Sequence, residues 1–286
     1  MSKSFSPLRY PGGKSSLLPV MASILKSNDL ERRPYAEPFA GGCGLALGLL
    51  YGGYVSEIHL NDIDPSIWSF WHSVLERTEE LIERVATTPI TIDEWRYQRD
   101  IYLAGDLSDP VSLGFAAFFL NRTNRSGIIK GAGVIGGLSQ TGNYKIDCRF
   151  NREDLIQRIT RVQKYKRRIH LYRQDAVEFL RFADCELPEQ SLLCIDPPYY
   201  NKGSSLYTSF YTADDHAALS EMILTLTRPW LVTYDDVPEI RALYEHRPQH
   251  RLSVKYSVQV KRTAGELLVS SADLELPEGL ERLATA

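Results

Sequence analysis

Cysteine is sparse in this chain of 286 residues: only Cys43, Cys148, Cys185 and Cys194 are present, and no two form a Cys-x-x-Cys pair. That spacing argues against a disulfide framework and against a cysteine-held metal, so no metal is expected and a reducing compartment fits. Long apolar runs are missing as well. Stretches such as LGFAAFFL at 113–120 fall far short of the roughly 20 residues a bilayer span takes. Nothing near the start has the apolar heart of a secretory leader. Repeats and low-complexity tracts are also lacking. A cytoplasmic protein with no membrane partner is expected, long enough to fold without staples.

Two nucleotide signatures are present only in broken form. RYPGGKSSLLP, residues 9–19, has the look of a phosphate-binding loop around Lys14, but the glycine required five positions before Gly13 is replaced by Leu8. No apolar strand precedes it either. The bland alternative is a Pro-Gly-Gly turn, with Ser15 or Ser16 capping a helix over LLPVMASIL. An ATP-dependent enzyme therefore rests on Lys14 alone. In AGGCGLALGLL, Gly42 and Gly44 suit a dinucleotide fingerprint, but its third glycine position holds Leu47 and Gly48 comes one residue late.

Charge is plentiful but unevenly placed. The net formal charge is −3, yet residues 121–173 carry thirteen Lys and Arg against three Asp and Glu. This asymmetry suggests a footprint for a polyanion, although RITRVQKYKRRIHLYR reads equally well as an exposed helix face. Upstream, NRTNRSGIIKGAGVIGGLSQTGNYK is basic, glycine-rich and too irregular for one helix, so it reads as a functional loop.

Apolar runs at 35–39, 57–62, 168–175, 191–196 and 229–236 alternate with helical patterns, which predicts an α/β fold with a mainly parallel sheet. LSVKYSVQV (252–260) and GELLVSS (265–271) predict an antiparallel hairpin at its edge. The hundred residues between the second and third strands begin with IWSFWHSVLERTEELIERV at helical spacing. They are too long for one crossover, so a mostly helical insertion is expected over 66–168. It interrupts a catalytic domain formed by 1–65 and 169–286.

Several strands end in an acidic residue, where ligands of open parallel sheets gather. Asp62 could accept two ribose hydroxyls, or merely cap a helix. DPPYY, residues 196–200, is the most informative stretch. Its prolines remove donors and fix the backbone so that carbonyls project rigidly. An amino group on an aromatic ring is a poor nucleophile because its lone pair is delocalised. Asp196 and the Pro197 carbonyl can each accept one of its N–H bonds and localise that pair, while Tyr199 offers a face for stacking.

In this order LRYPGGKSSLL, AEPFAGGCG, NDID, LNRTNRSGI, DPPYY and GELLV resemble the Dam-type, or D12 class, DNA adenine-N6 methyltransferases. The resemblance implies a Rossmann-like methyltransferase sheet with an inserted target-recognition subdomain. It also implies S-adenosylmethionine as donor, S-adenosylhomocysteine as product, and double-stranded DNA as partner. By matching positions, Tyr10, Lys14, Phe39, Gly41, Gly42, Asp62, Asp175 and Asp196 fall in the cofactor site, with Lys14 anchoring the methionine end. Asp196, Pro197 and Tyr199 fall in the catalytic tetrad, and Arg122, Arg125 and Lys130 are the DNA-binding candidates. Many relatives have an aromatic where Arg125 stands, so a GATC target is not assumed. Base flipping, in-line attack by N6 and a restriction–modification setting are further expectations; a monomer is compatible with all of them. Cytosine-N4 methylation, RNA methylation and a non-catalytic DNA-binding module are the rivals, and Asp196 in place of serine favours adenine.

Overall fold

The computed structural model describes residues 5–10, 13–200, 211–255, 263–278 and 280–283. Five strands run parallel: β1 (Arg33–Glu37), β2 (Val55–Asn61), β3 (Ile169–Tyr172), β4 (Leu192–Ile195) and β5 (Trp230–Asp235). β6 (Gln249–Lys255), β7 (Thr263–Ser270) and β8 (Glu281–Arg282) add an antiparallel edge. The sheet order is β3-β2-β1-β4-β5-β7-β6-β8. Every residue of the β4 run LLCI is buried, because helices cover both faces of the parallel part and leave no side chain of it to water.

On one face, α1 (Leu18–Ser27) and α2 (Gly44–Tyr51) pack with helices that follow β2. On the other lie α8 (Ala176–Glu186), α9 (Ala213–Thr225) and α10 (Pro238–Leu243). Strand order runs outward from β1 through β2 to β3, then resumes on the other side with β4 and β5. The carboxyl ends of β1 and β4 thus flank the reversal point, where an open sheet leaves a crevice.

Between β2 and β3 come α3 (Pro65–Glu76), α4 (Thr78–Thr87), α5 (Ile92–Ala104), α6 (Pro110–Thr123) and α7 (Arg152–Lys164). α3 starts where Asp64 accepts bonds from the Ser66 and Ile67 N–H groups, with Pro65 at its first position. Phe70 and Phe118 stack between α3 and α6 at 5.4 Å. A single apolar cluster joins these helices to Tyr35 of β1 and Ile58 of β2. Among the described residues no helix is long and apolar enough to cross a membrane.

Three local expectations need correction. The helical pattern from Ile67 to Val85 is two helices, broken at Arg77 (φ −132°, ψ 40°). The break redirects the apolar stripe, since α3 packs mainly on α6 while α4 packs on α7. β6 begins at Gln249, three residues before the expected start, and it pairs in part with the short β8, which periodicity did not reveal. β7 likewise begins at Thr263, two residues before the expected Gly265, and residues 256–262 lie outside the described residues.

Candidate active site

The crevice holds a cavity that opens to solvent; its empty space, solvent at the mouth included, is about 870 Å³. Of the residues singled out in the sequence, Tyr10, Lys14, Phe39, Gly41, Gly42, Asp62 and Asp196 line it. Glycine is required in its floor. Gly41 has φ +46°, and a side chain there would meet the Tyr10 ring at 2.8 Å; one at Gly42 would meet the Tyr10 Cβ at 2.6 Å. Tyr10 is thus pressed onto the turn between β1 and α2. That turn is pinned from both sides, by Gly41 N–H donating to Asp62 Oδ2 (2.8 Å) and by Trp71 Nε1–H donating to the Gly41 carbonyl (2.8 Å).

Lys14 occupies the first position of a short 3-10 helix and is almost wholly buried. Its Nζ lies 3.1 Å from Asp196 Oδ1, 2.8 and 3.0 Å from the two Glu266 oxygens, and 3.4 Å from the Tyr199 hydroxyl. These partners account for the donors of the ammonium. Lys14 is therefore placed as a clamp between Asp196, just beyond β4, and Glu266 of β7, at the cavity wall. Burial opposes its charge, but the Asp196 and Glu266 carboxylates outweigh that and hold its pKa above the ordinary lysine value. Tyr199 donates to Glu266 Oε1 at 2.5 Å, and its ring lies 5.4 Å from the Lys14 Nζ. Glu266 was missed as an individual residue although GELLV was noticed. Its partner lies 252 positions away.

Asp196 and Lys14 are the members of this cluster that line the cavity. Oδ1 accepts from Thr233 Oγ1 (2.8 Å) and from Lys14, while Oδ2 has no partner among the described residues. Pro198 lines the cavity, whereas its neighbours Pro197 and Tyr199 are not among the lining residues. Asp175 caps α8 through the Val177 N–H and is exposed at the margin, where its charge helps to raise the pKa of the lining Tyr211. Tyr211 and Phe39 meet edge to face at 5.7 Å, and Ile63, 48% exposed, adds an apolar wall. Ile63 and Tyr211 carried no signal in the sequence beyond their residue type.

The walls are acidic: Glu37, Asp62, Asp64 and Asp196 face one lysine. A triphosphate would meet repulsion here, whereas a cation is favoured. Burial pushes the Glu37 carboxyl up to about 8, against the Tyr35 hydroxyl bond (2.9 Å) that favours its ionised form. Burial, with the neighbouring Asp64 charge, pushes Asp62 up to about 7 despite two backbone N–H donors.

The expected DNA-contacting segment needs a correction. Arg122 is buried, with its guanidinium bonded to the Pro7 carbonyl, and is removed from the set of exposed DNA contacts. Burial first, then the charge of Arg158, lowers its pKa to about 9. Its neighbours in NRTN are structural too. Asn121 accepts from Arg9 N–H (2.7 Å) and donates to the Arg9 and Gly127 carbonyls, and Asn124 accepts from Trp95 Nε1 (2.7 Å). This scaffold ties the segment that carries exposed Arg125 and Lys130 to Arg9, the residue before the cavity-lining Tyr10.

Other cations in the basic stretch also serve the fold. Arg152 binds the Val85 and Thr88 carbonyls, Arg168 binds those of Val55 and Ser56, and Arg161 lies 4.0 Å from the centre of the Tyr51 ring. The net charge of this segment therefore overstates its free cationic surface. Exposed Arg149 adds to what remains; Arg9 beside it is half-buried, its Nη1 is closed off from solvent without a partner among the described residues, and burial and Arg149 lower its pKa.

The family model described as D12 class N6 adenine-specific DNA methyltransferase matches residues 10–260 of the chain. None of the curated proteins matches it significantly.

Proposed function

The chain belongs to the D12 class of N6 adenine-specific DNA methyltransferases, and we propose that it methylates N6 of an adenine flipped out of double-stranded DNA, with S-adenosylmethionine as donor. The observation that carries this reading is Asp196. It stands just beyond β4 on the cavity wall, with one carboxylate oxygen tied to Lys14 and Thr233 and the other without a partner among the described residues.

The donor set fits the cofactor. Asp62 is placed to accept the ribose hydroxyls, Phe39, Ile63 and Tyr211 to enclose its adenine with Asp175 at the margin, and the acidic walls to favour a cation. When bound, S-adenosylmethionine supplies a methyl group made electrophilic by a positively charged sulfur. The residues of the chain prepare the acceptor. Asp196 Oδ2 and the Pro197 carbonyl take the two amino N–H bonds, which draws the lone pair out of the purine ring and onto N6. Clamping of Oδ1 by Lys14 and Thr233 fixes the direction in which Oδ2 points, so orientation is set before the base arrives. The amino proton becomes acidic only as N6 is alkylated, so no strong base is needed.

Extruding the base costs a few kcal/mol. Phosphate contacts from Arg125, Lys130 and Arg149 offset it and make binding salt dependent. Arg125→Ala and Lys130→Ala are expected to weaken duplex binding about tenfold each, lower the salt slope by about one, and leave the melting temperature unchanged. Arg122→Ala is expected to lose about 1–3 kcal/mol of stability instead. Anisotropy titrations across salt, with thermal melts of the same variants, separate the two groups. An equal loss on every sequence marks Lys130 as a phosphate contact, and a sequence-dependent loss marks it as a base reader.

Protonation gives another test. Glu37, near 8, is protonated at pH 7, and a sulfonium in the same cavity favours its ionised form. Cofactor binding at pH 7 is therefore expected to release protons from Glu37 and, in part, from Asp62, whose carboxyl is pushed up to about 7. Calorimetry in buffers of different ionisation enthalpy reads this, and Glu37→Gln should lower the release without abolishing it. The proposal itself is tested by transfer of a labelled methyl group. Incorporation into duplex DNA that RNA does not compete away supports it; incorporation into RNA alone, or into neither, overturns it.

A further inference from the structure

Away from the cavity, on strands β2 and β3, three side chains meet that the methyl-transfer chemistry does not use. Glu57 and His59 are two residues apart on β2 and so share one face, and His59 is the register partner of His170 on β3. Both imidazoles turn Nε2 toward the same carboxylate. His59 Nε2 is 3.4 Å from Glu57 Oε1, and His170 Nε2 is 3.1 Å from Glu57 Oε2. The rings lie nearly parallel with centroids 4.4 Å apart. On its far side, His59 Nδ1 is 3.1 Å from the Tyr172 hydroxyl.

We propose that Glu57, His59 and His170 form a binding site for a divalent transition ion of the zinc type. Two imidazole nitrogens and a carboxylate are a donor set that zinc takes, with a fourth position left for water. The separations suit this better than hydrogen bonding alone. Charge-assisted N–H···O contacts run about 2.7–2.9 Å, whereas two ligands at about 2.05 Å on a tetrahedral ion stand about 3.3 Å apart. One ligand atom from each residue lies within 4.8 Å of the others. The broad χ2 wells of histidine let the rings turn to close the set on an ion.

The Tyr172 hydroxyl supplies the outer partner that a ligating histidine usually has. With an ion bound it would accept from Nδ1–H, the tautomer that leaves the Nε2 lone pair facing inward. His59 is buried while Glu57 and His170 are half-exposed, so the site has a fixed base and an open mouth. An ion there would tie β2 to β3 a few residues before Asp62 reaches the cavity. The proposal is independent of the methyl-transfer reading.

The test uses the full chain, stripped with chelator and titrated with zinc alone against a chromophoric competitor. Cobalt(II) absorption serves as the geometric readout. One equivalent with tetrahedral cobalt absorption is expected. His170→Ala and Glu57→Gln change half-exposed positions and should weaken binding at least about tenfold, and Tyr172→Phe, which keeps the packed ring, about tenfold. Zinc at a hundredfold excess over its Kd should raise the melting temperature by about 5–10 °C in the unmodified chain and not in His170→Ala. Absence of binding overturns the proposal. So does undiminished affinity in both His170→Ala and Glu57→Gln, which would place the ion elsewhere, for instance on exposed Cys148 or Cys185.

Discussion

Asp196→Ala is expected to reduce methyl transfer by at least about a hundredfold, the scale on which a preorganised polar contact to the reacting centre acts. The fold should survive. Lys14 keeps its two-oxygen contact with Glu266 after the change, and Asp196 is not itself enclosed, with 26% of its side chain exposed. Asp196→Asn should not rescue activity. Its oxygen can replace Oδ1 toward Lys14 and Thr233, but its NH2 then faces the adenine amino group, donor against donor. Initial rates with labelled cofactor, taken with thermal melts, separate loss of chemistry from loss of structure. Near-normal turnover in Asp196→Ala contradicts the role assigned to it.

The second large effect is on the clamp. Glu266 and Lys14 are both buried, and breaking a buried ion pair by removing one partner costs about 3–5 kcal/mol. Glu266→Ala should therefore lower stability by about that amount. It should also reduce transfer, because Lys14 and Tyr199 lose the carboxylate that orients them. Lys14→Met combined with Glu266→Leu replaces the pair with apolar groups of similar volume. It is expected to recover much of the stability and none of the activity, since nothing then holds Asp196 Oδ1 from the Lys14 side. Denaturant melts and rates on the two single variants and the double variant test this. A double variant that is active would show that the pair serves folding alone.

What the sequence made legible was local. The parallel strands announce themselves as short apolar runs, and the turn after β1 and the DPPYY stretch carry their chemistry within a few consecutive residues. Together with Tyr10 and Lys14 of the N-terminal RYPGGK stretch, seven of the residues picked from the sequence converge on one cavity. What stayed hidden depends on partners far along the chain. Arg122 looks like a nucleic-acid contact until its bond to the Pro7 carbonyl, 115 positions away, is seen. The pairing of Lys14 with Asp196 and Glu266, on either side of it, is likewise invisible from its own stretch of sequence. A charge count records sign and not partner, so it could not separate Arg152 and Arg168, spent on carbonyls of the fold, from exposed Arg125 and Lys130. His59 and His170 become neighbours only through the register of β2 and β3. The Arg77 break is missed for a related reason: the apolar period continues through it, and only the different packing partners of α3 and α4 require a bend.

The central claim is that this active site methylates the amino nitrogen of adenine in DNA. It is tested most directly by expressing the chain in a bacterium without DNA methylation of its own and analysing the nucleosides of the recovered genome. N6-methyladenine with the intact chain, and none with Asp196→Ala, is the predicted result. N4-methylcytosine in its place, or a genome free of any modified base despite soluble protein, would contradict it.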